Sequence, residues 1–60
     1  MPGCIHLDYK GIRALNHYEN GDWYSIFYLK GEPIKRVTWA EGFSFKDVRE
    51  VIDKEILPFI

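Results

Sequence analysis

Apolar and polar residues alternate through most of the chain and change to a helical spacing near its end. Residues 12–18 and 23–29 are rich in β-branched and aromatic types, which suit a pleated, half-buried strand. Between them stands Glu19-Asn20-Gly21-Asp22. Asn-Gly is the strongest short-range signal for a type I′ hairpin turn, because both central residues take positive φ. The turn predicts a register with Tyr18 opposite Trp23, Asn16 opposite Ser25, Ala14 opposite Phe27 and Ile12 opposite Leu29. A second turn lies in Lys30-Gly31-Glu32-Pro33. A two-residue loop at Gly31-Glu32 would need an N–H from Pro33, which has none. A four-residue loop with Leu29 opposite Ile34 is expected instead, followed by a strand from residue 34 to about 40. Glu41-Gly42-Phe43 then breaks the sheet.

The end of the chain reads as a helix. Ser44-Phe45-Lys46-Asp47 is a capping-box-like start. Val48, Val51, Ile52 and Ile56 form one apolar stripe at helical spacing, and Pro58 closes it, leaving Phe59-Ile60 to fold back as an apolar tail. At the other end, Ile5, Leu7 and Tyr9 alternate with Cys4, His6 and Asp8, the period of a strand. Gly11 is then either a bulge within a longer strand or a turn after a separate one. The expected fold class is α+β: a three-stranded antiparallel meander packed by one C-terminal helix, β-β-β-α, with an extra N-terminal edge strand as the open alternative. One domain over residues 1–60 is expected, without linker or repeat.

The expected register sorts side chains onto two faces. The first carries Ile12, Ala14, Phe27, Leu29 and Ile34, with Arg36 and Thr38 beside them. The second carries Arg13, Leu15, His17, Tyr24, Ile26, Tyr28, Lys35, Val37 and Trp39. Both are partly apolar, which is unusual for a sheet with water on one side. The helix is expected on the first face, where Ala14 and Ala40 leave room. In the alternative the second face is core and its long basic side chains snorkel to the rim.

Composition narrows the classes of function. The chain has 60 residues, 8 Lys and Arg against 9 Asp and Glu, and a formal charge of −1. With two Trp, four Tyr and four Phe it is not a disordered sequence, and its balanced charge excludes a globally basic nucleic-acid binder. A single cysteine makes no internal disulfide. No segment has the roughly 20 apolar residues of a transmembrane helix, and Met1-Pro2-Gly3-Cys4 does not read as a signal peptide. A cytoplasmic location is expected. A domain this small buries only about 60% of its unfolded surface, so its aromatic residues are expected to serve both a core and a second surface that meets a partner or another copy.

The runs Asn20-Gly21-Asp22-Trp23-Tyr24-Ser25-Ile26-Phe27-Tyr28 and Phe43-Ser44-Phe45-Lys46-Asp47-Val48, about half the chain, resemble the arm-type DNA-binding domain of tyrosine recombinases. The resemblance implies a three-stranded sheet with a helix, the sheet reading the major groove. That family's third strand and helix are normally rich in Lys and Arg, whereas the charged residues here from Ser44 to Leu57 sum to −1. The resemblance is therefore one of architecture, which does not carry function.

Candidate chemistry is sparse. Cys4, His6 and Asp8 share one face of a strand and are of metal-ligating or nucleophilic types, but their spacing matches no ligand motif. Polar residues facing water on an N-terminal edge strand are the better reading of them. Carboxylates on the helix alternate with Lys and Arg, as on a solvated face. No phosphate-cradling glycine loop is present. No cofactor, metal, small-molecule substrate or catalytic group is expected. The expected function is a non-enzymatic binding or regulatory module, of the size of a small phage-encoded inhibitor. It would engage a protein partner through Arg13, Tyr24, Tyr28, Lys35 and Trp39 and self-associate as a homodimer, since Tyr, Trp and Arg dominate interface hot spots. The alternative is a nucleic-acid-binding protein that uses the same face for stacking and phosphate contacts.

Overall fold

A computed structural model of the chain describes residues 4–60. Met1, Pro2 and Gly3, part of the segment bearing on a signal peptide, lie outside them. Four strands, β1 (Cys4–Tyr9), β2 (Ile12–Glu19), β3 (Asp22–Leu29) and β4 (Glu32–Trp39), form one antiparallel sheet in the order β1-β2-β3-β4. The helix α1 (Phe45–Val51) follows and continues through a wider π turn over Ile52–Ile56 and a 3-10 turn over Leu57–Phe59. The class is α+β as expected, but the sheet has four strands. The N-terminal segment is a full edge strand, and Gly11 belongs to a turn.

The three hairpins share one device. Lys10-Gly11, Asn20-Gly21 and Lys30-Gly31 form two-residue tips in which both residues have positive φ, between 51° and 85°. These are the torsions whose twist matches the flanking strands. The chain therefore does carry a repeat: eight-residue strands alternate with two-residue turns, and a glycine returns at 11, 21 and 31.

The second expected turn is corrected by this geometry. Its tip is Lys30-Gly31, so Leu29 pairs with Glu32 and Tyr28 with Pro33. In a two-residue hairpin the first pair beyond the tip is hydrogen-bonded and the next is not. Pro33 thus occupies a position whose N–H would point away from β3, on an edge strand where proline is tolerated. Pairing then skips from Tyr28–Pro33 to Phe27–Lys35, and Ile34 has no partner of its own. This bulge changes the parity of everything after it. Lys35, Val37 and Trp39 turn to the helix side with Phe27, Ser25 and Trp23, while Arg36 and Thr38 turn to the other face with Ile26 and Tyr24.

The helix covers the first face. Ile12, Ala14 and Phe27 from the sheet and Val48, Ile52 and Ile56 from the helical segment are the buried apolar core. The capping box forms: the Asp47 N–H donates to Ser44 Oγ at 3.4 Å, and the Ser44 N–H donates to Asp47 Oδ2 at 3.0 Å. Such a cap contributes about 1 kcal/mol, and seven residues of helix do not stand without tertiary packing. Ion pairs at opposite edges of the sheet hold the helical segment in place. Asp53 receives Lys10 Nζ at 3.0 Å and the Tyr9 hydroxyl at 3.0 Å, and Glu55 receives Lys35 Nζ at 3.2 Å.

Beyond the helix, toward the Asn20-Gly21 end, the covered face is closed by polar and aromatic groups. The Trp39 indole N–H donates to Ser25 Oγ at 2.8 Å, the Ser25 hydroxyl donates to Asn16 Oδ1, and the Asn16 amide donates to the Ile5 carbonyl at 2.8 Å. The chain of bonds spans all four strands. It satisfies Asn16 and Ser25, both fully buried, and no buried side-chain polar atom among the described residues lacks a partner. Phe43 packs beside it, edge-on to Trp23 at 5.0 Å and stacked on Trp39 at 5.9 Å. No helix among the described residues is long and apolar enough to cross a membrane.

Candidate interaction surface

The helix leaves one whole face of the sheet open. Strand parity and cross-strand register set its content: Cys4, His6 and Asp8 from β1; Arg13, Leu15, His17 and Glu19 from β2; Asp22, Tyr24, Ile26 and Tyr28 from β3; Arg36 and Thr38 from β4. Leu15, His17, Tyr24, Ile26 and Tyr28 are half-buried. Facing pairs bring Leu15 against Ile26, His17 against Tyr24 and Arg13 against Tyr28.

The aromatic and charged groups are ordered by one another. The His17 ring stacks on Tyr24 with centroids 5.0 Å apart and planes 21° from parallel. The Arg36 guanidinium lies 4.3 Å from the centre of the same Tyr24 ring, a cation–π contact. Arg13 Nε donates to Asp8 Oδ1 at 2.9 Å. That hydrogen bond, with the charge of Arg13, holds the Asp8 carboxyl below its ordinary range, and the same bond raises Arg13. Beside this pair a shallow groove of about 460 Å³ runs to the turns, lined by Leu15, Tyr28, Lys30 and the backbone of Gly11 and Gly31.

Arg13, Tyr24 and Tyr28 lie together on the open face. Lys35 and Trp39 do not, and their expected placement there is corrected. The bulge at Ile34 puts Lys35 over the helix side, paired with Glu55, and makes Trp39 a half-buried neighbour of Ser25 and Phe43. Arg36 stands on the open face in their place. The signal for it was the repeat of Lys-Gly at 10–11 and 30–31, which marks the second tip one residue earlier than Gly31-Glu32.

Cys4, His6 and Asp8 share the open side of β1, with Cys4 opposite His17. Among the described residues no three His, Cys, Asp or Glu side chains come together to hold a metal ion. No protein-family model, curated protein or solved structure matches the chain.

Proposed function

We propose that the chain is a non-enzymatic protein-binding module that receives its partner on the open sheet face. The observation that carries this reading is the uncovered patch itself: Leu15 and Ile26 lie at the centre of the sheet between Tyr24, Tyr28 and His17, with Arg13 and Arg36 around them. An apolar sheet face is normally buried against another layer. Its aromatic and arginine content is that of interface hot spots. The longest dimensions of the domain, 32 and 22 Å, suit the roughly 800 Å² that a standard interface takes from each partner.

Charge specifies the partner's chemistry. Arg13 and Arg36 face outward from the patch beside Asp8, which Arg13 engages, while Glu19 and Asp22 oppose each other at the Asn20-Gly21 end of the same face. A complementary surface presents apolar side chains with carboxylates set against Arg13 and Arg36 and away from the Glu19–Asp22 end. Nucleic acid is disfavoured because a phosphate-binding face ordinarily carries a larger cationic excess.

The test compares wild type with the Tyr24→Ala/Tyr28→Ala variant, both checked for fold by circular dichroism. Amide spectra are recorded during titration with an acidic amphipathic peptide, its lysine-substituted counterpart, and duplex DNA at low and high salt. The expected result is shifts at Arg13, Tyr24, Tyr28 and Arg36 with the acidic peptide alone, lost in the variant. Salt-suppressed shifts of those residues with DNA would overturn the reading in favour of nucleic acid. No shift on this face with the acidic peptide would overturn it outright.

A further inference from the structure

The two edges of the sheet differ. β4 carries Pro33, the bulge at Ile34 and the cation Arg36, devices that block pairing with another strand. β1 has no proline, no bulge and no lysine within Cys4–Tyr9. Its hairpin closes on Tyr9 opposite Ile12, so Tyr9, Leu7 and Ile5 direct their backbone groups to β2, and Asp8, His6 and Cys4 direct theirs away from the sheet.

We infer that β1 pairs with β1 of a second copy of this chain, antiparallel about a two-fold axis beside Leu7. Side chains select this register. It sets Leu7 opposite Leu7 and Ile5 opposite Tyr9 on the helix side, where Ile5 is 42% exposed in the single chain. On the open side it sets His6 opposite Asp8 twice over, as two-fold symmetry requires. Asp8 is suited to this: only its Oδ1 is engaged by Arg13, and the other carboxylate oxygen accepts no hydrogen bond from a described residue. The register centred on His6 instead opposes two histidines and places Asp8 against Cys4. The register centred on Ile5 carries Asp8 past the facing strand. The register centred on Asp8 opposes two carboxylates, so among these four the Leu7-centred one alone sets a carboxylate against an imidazole N–H and apolar against apolar.

Because His6 and Asp8 belong to the outward-facing set, the same residues whose side chains pair also exchange backbone N–H and C=O groups across the seam. The two sheets join into one. Both helices lie on one side, and the open face doubles in width. The inference rests on the β1 edge and stands whether or not the open face binds a protein.

The experiment is sedimentation equilibrium under reducing conditions, with the fold checked by circular dichroism. Wild type is expected to dimerise reversibly. His6→Glu opposes two carboxylates at each of the symmetric pairs, and Asp8→Lys places lysine opposite histidine. Each variant is expected to weaken the dimer about tenfold, the sum of two cross-strand pairs that lose their attraction. An equimolar mixture of the two variants restores attraction at both pairs, Glu with Lys and Asp with His, and is expected to recover the dimer mass. Three results would overturn the inference: a wild type that stays monomeric to about 1 mM, a dimer unaffected by His6→Glu, or folded variants whose mixture associates no better than either alone.

Discussion

Trp39 donates its indole N–H to Ser25 Oγ across 2.8 Å on the face of the sheet that the helix shares. The contact ties the edge strand β4 to β3 by a side-chain bond beyond the backbone ladder. It also completes the string of donors that ends on the Ile5 carbonyl. Ser25→Ala leaves the Trp39 N–H and the Asn16 carbonyl oxygen without their partner in a buried setting. The expected cost is about 1–3 kcal/mol, read as a lowered urea midpoint at unchanged slope. Trp39→Phe keeps the Ser25–Asn16 bond and is expected to cost less. The double variant is expected to fall short of the sum of the two, because both substitutions break one shared bond.

The two faces predict opposite outcomes for aromatic truncation. Trp39→Ala removes packing against Phe43 and the bond to Ser25, and about 2–3 kcal/mol of stability is expected to be lost. Tyr28→Ala, on the open face, is expected to cost about 1 kcal/mol or less. Equal losses in thermal denaturation would mean that the open face is core.

The turn tips predict a matched pair of effects. Gly31 has φ +84° with open space where a Cβ would sit, so Gly31→Ala is penalised by backbone conformation alone, at about 1 kcal/mol. Lys30 has φ 53°, a region that asparagine adopts more readily. Lys30→Asn is therefore expected to raise the thermal midpoint, making this tip resemble Asn20-Gly21.

The helix anchor predicts a pH dependence. Hydrogen bonds from Lys10 first and then from the Tyr9 hydroxyl hold the Asp53 carboxyl below its ordinary range, and Asp53 in turn raises Lys10. A carboxyl whose pKa is depressed on folding contributes stability above its unfolded pKa and loses it as pH falls through the folded one. A raised lysine contributes below its unfolded pKa and loses it as pH rises through its folded value. The advantage of wild type over Asp53→Asn is therefore expected to be present at neutral pH. It should vanish below the carboxylate range and decline again above the lysine range. Urea midpoints of the two proteins across pH provide the measurement, and a constant difference would refute the assignment.

Local chemistry made much of this fold legible. Asn20-Gly21 set the β2–β3 register pair for pair, since two positive-φ residues leave one way to close a hairpin. Ser44 and Asp47 marked the helix start three residues apart. The small Ala14 and the bulky Ile12 and Phe27 pointed to the face that the helix covers. The second hairpin misled because proline reads as a barrier to strand pairing, and on an edge strand its missing donor faces outward and forbids nothing.

The succession of strands then helix, the middle hairpin, the helix cap and the apolar stripe followed from the sequence by itself, because each depends on residues within a few positions of one another, whereas the separate edge strand β1 was fixed only by its pairing with β2. Tertiary structure decided the rest. Ile34 became a bulge through pairing across β3 and β4, and that single unpaired residue sent Lys35 and Trp39 to the helix and Arg36 to the open face. Parity in a strand is cumulative, so one skipped partner exchanges every side chain beyond it, and only the assembled sheet shows where the skip falls.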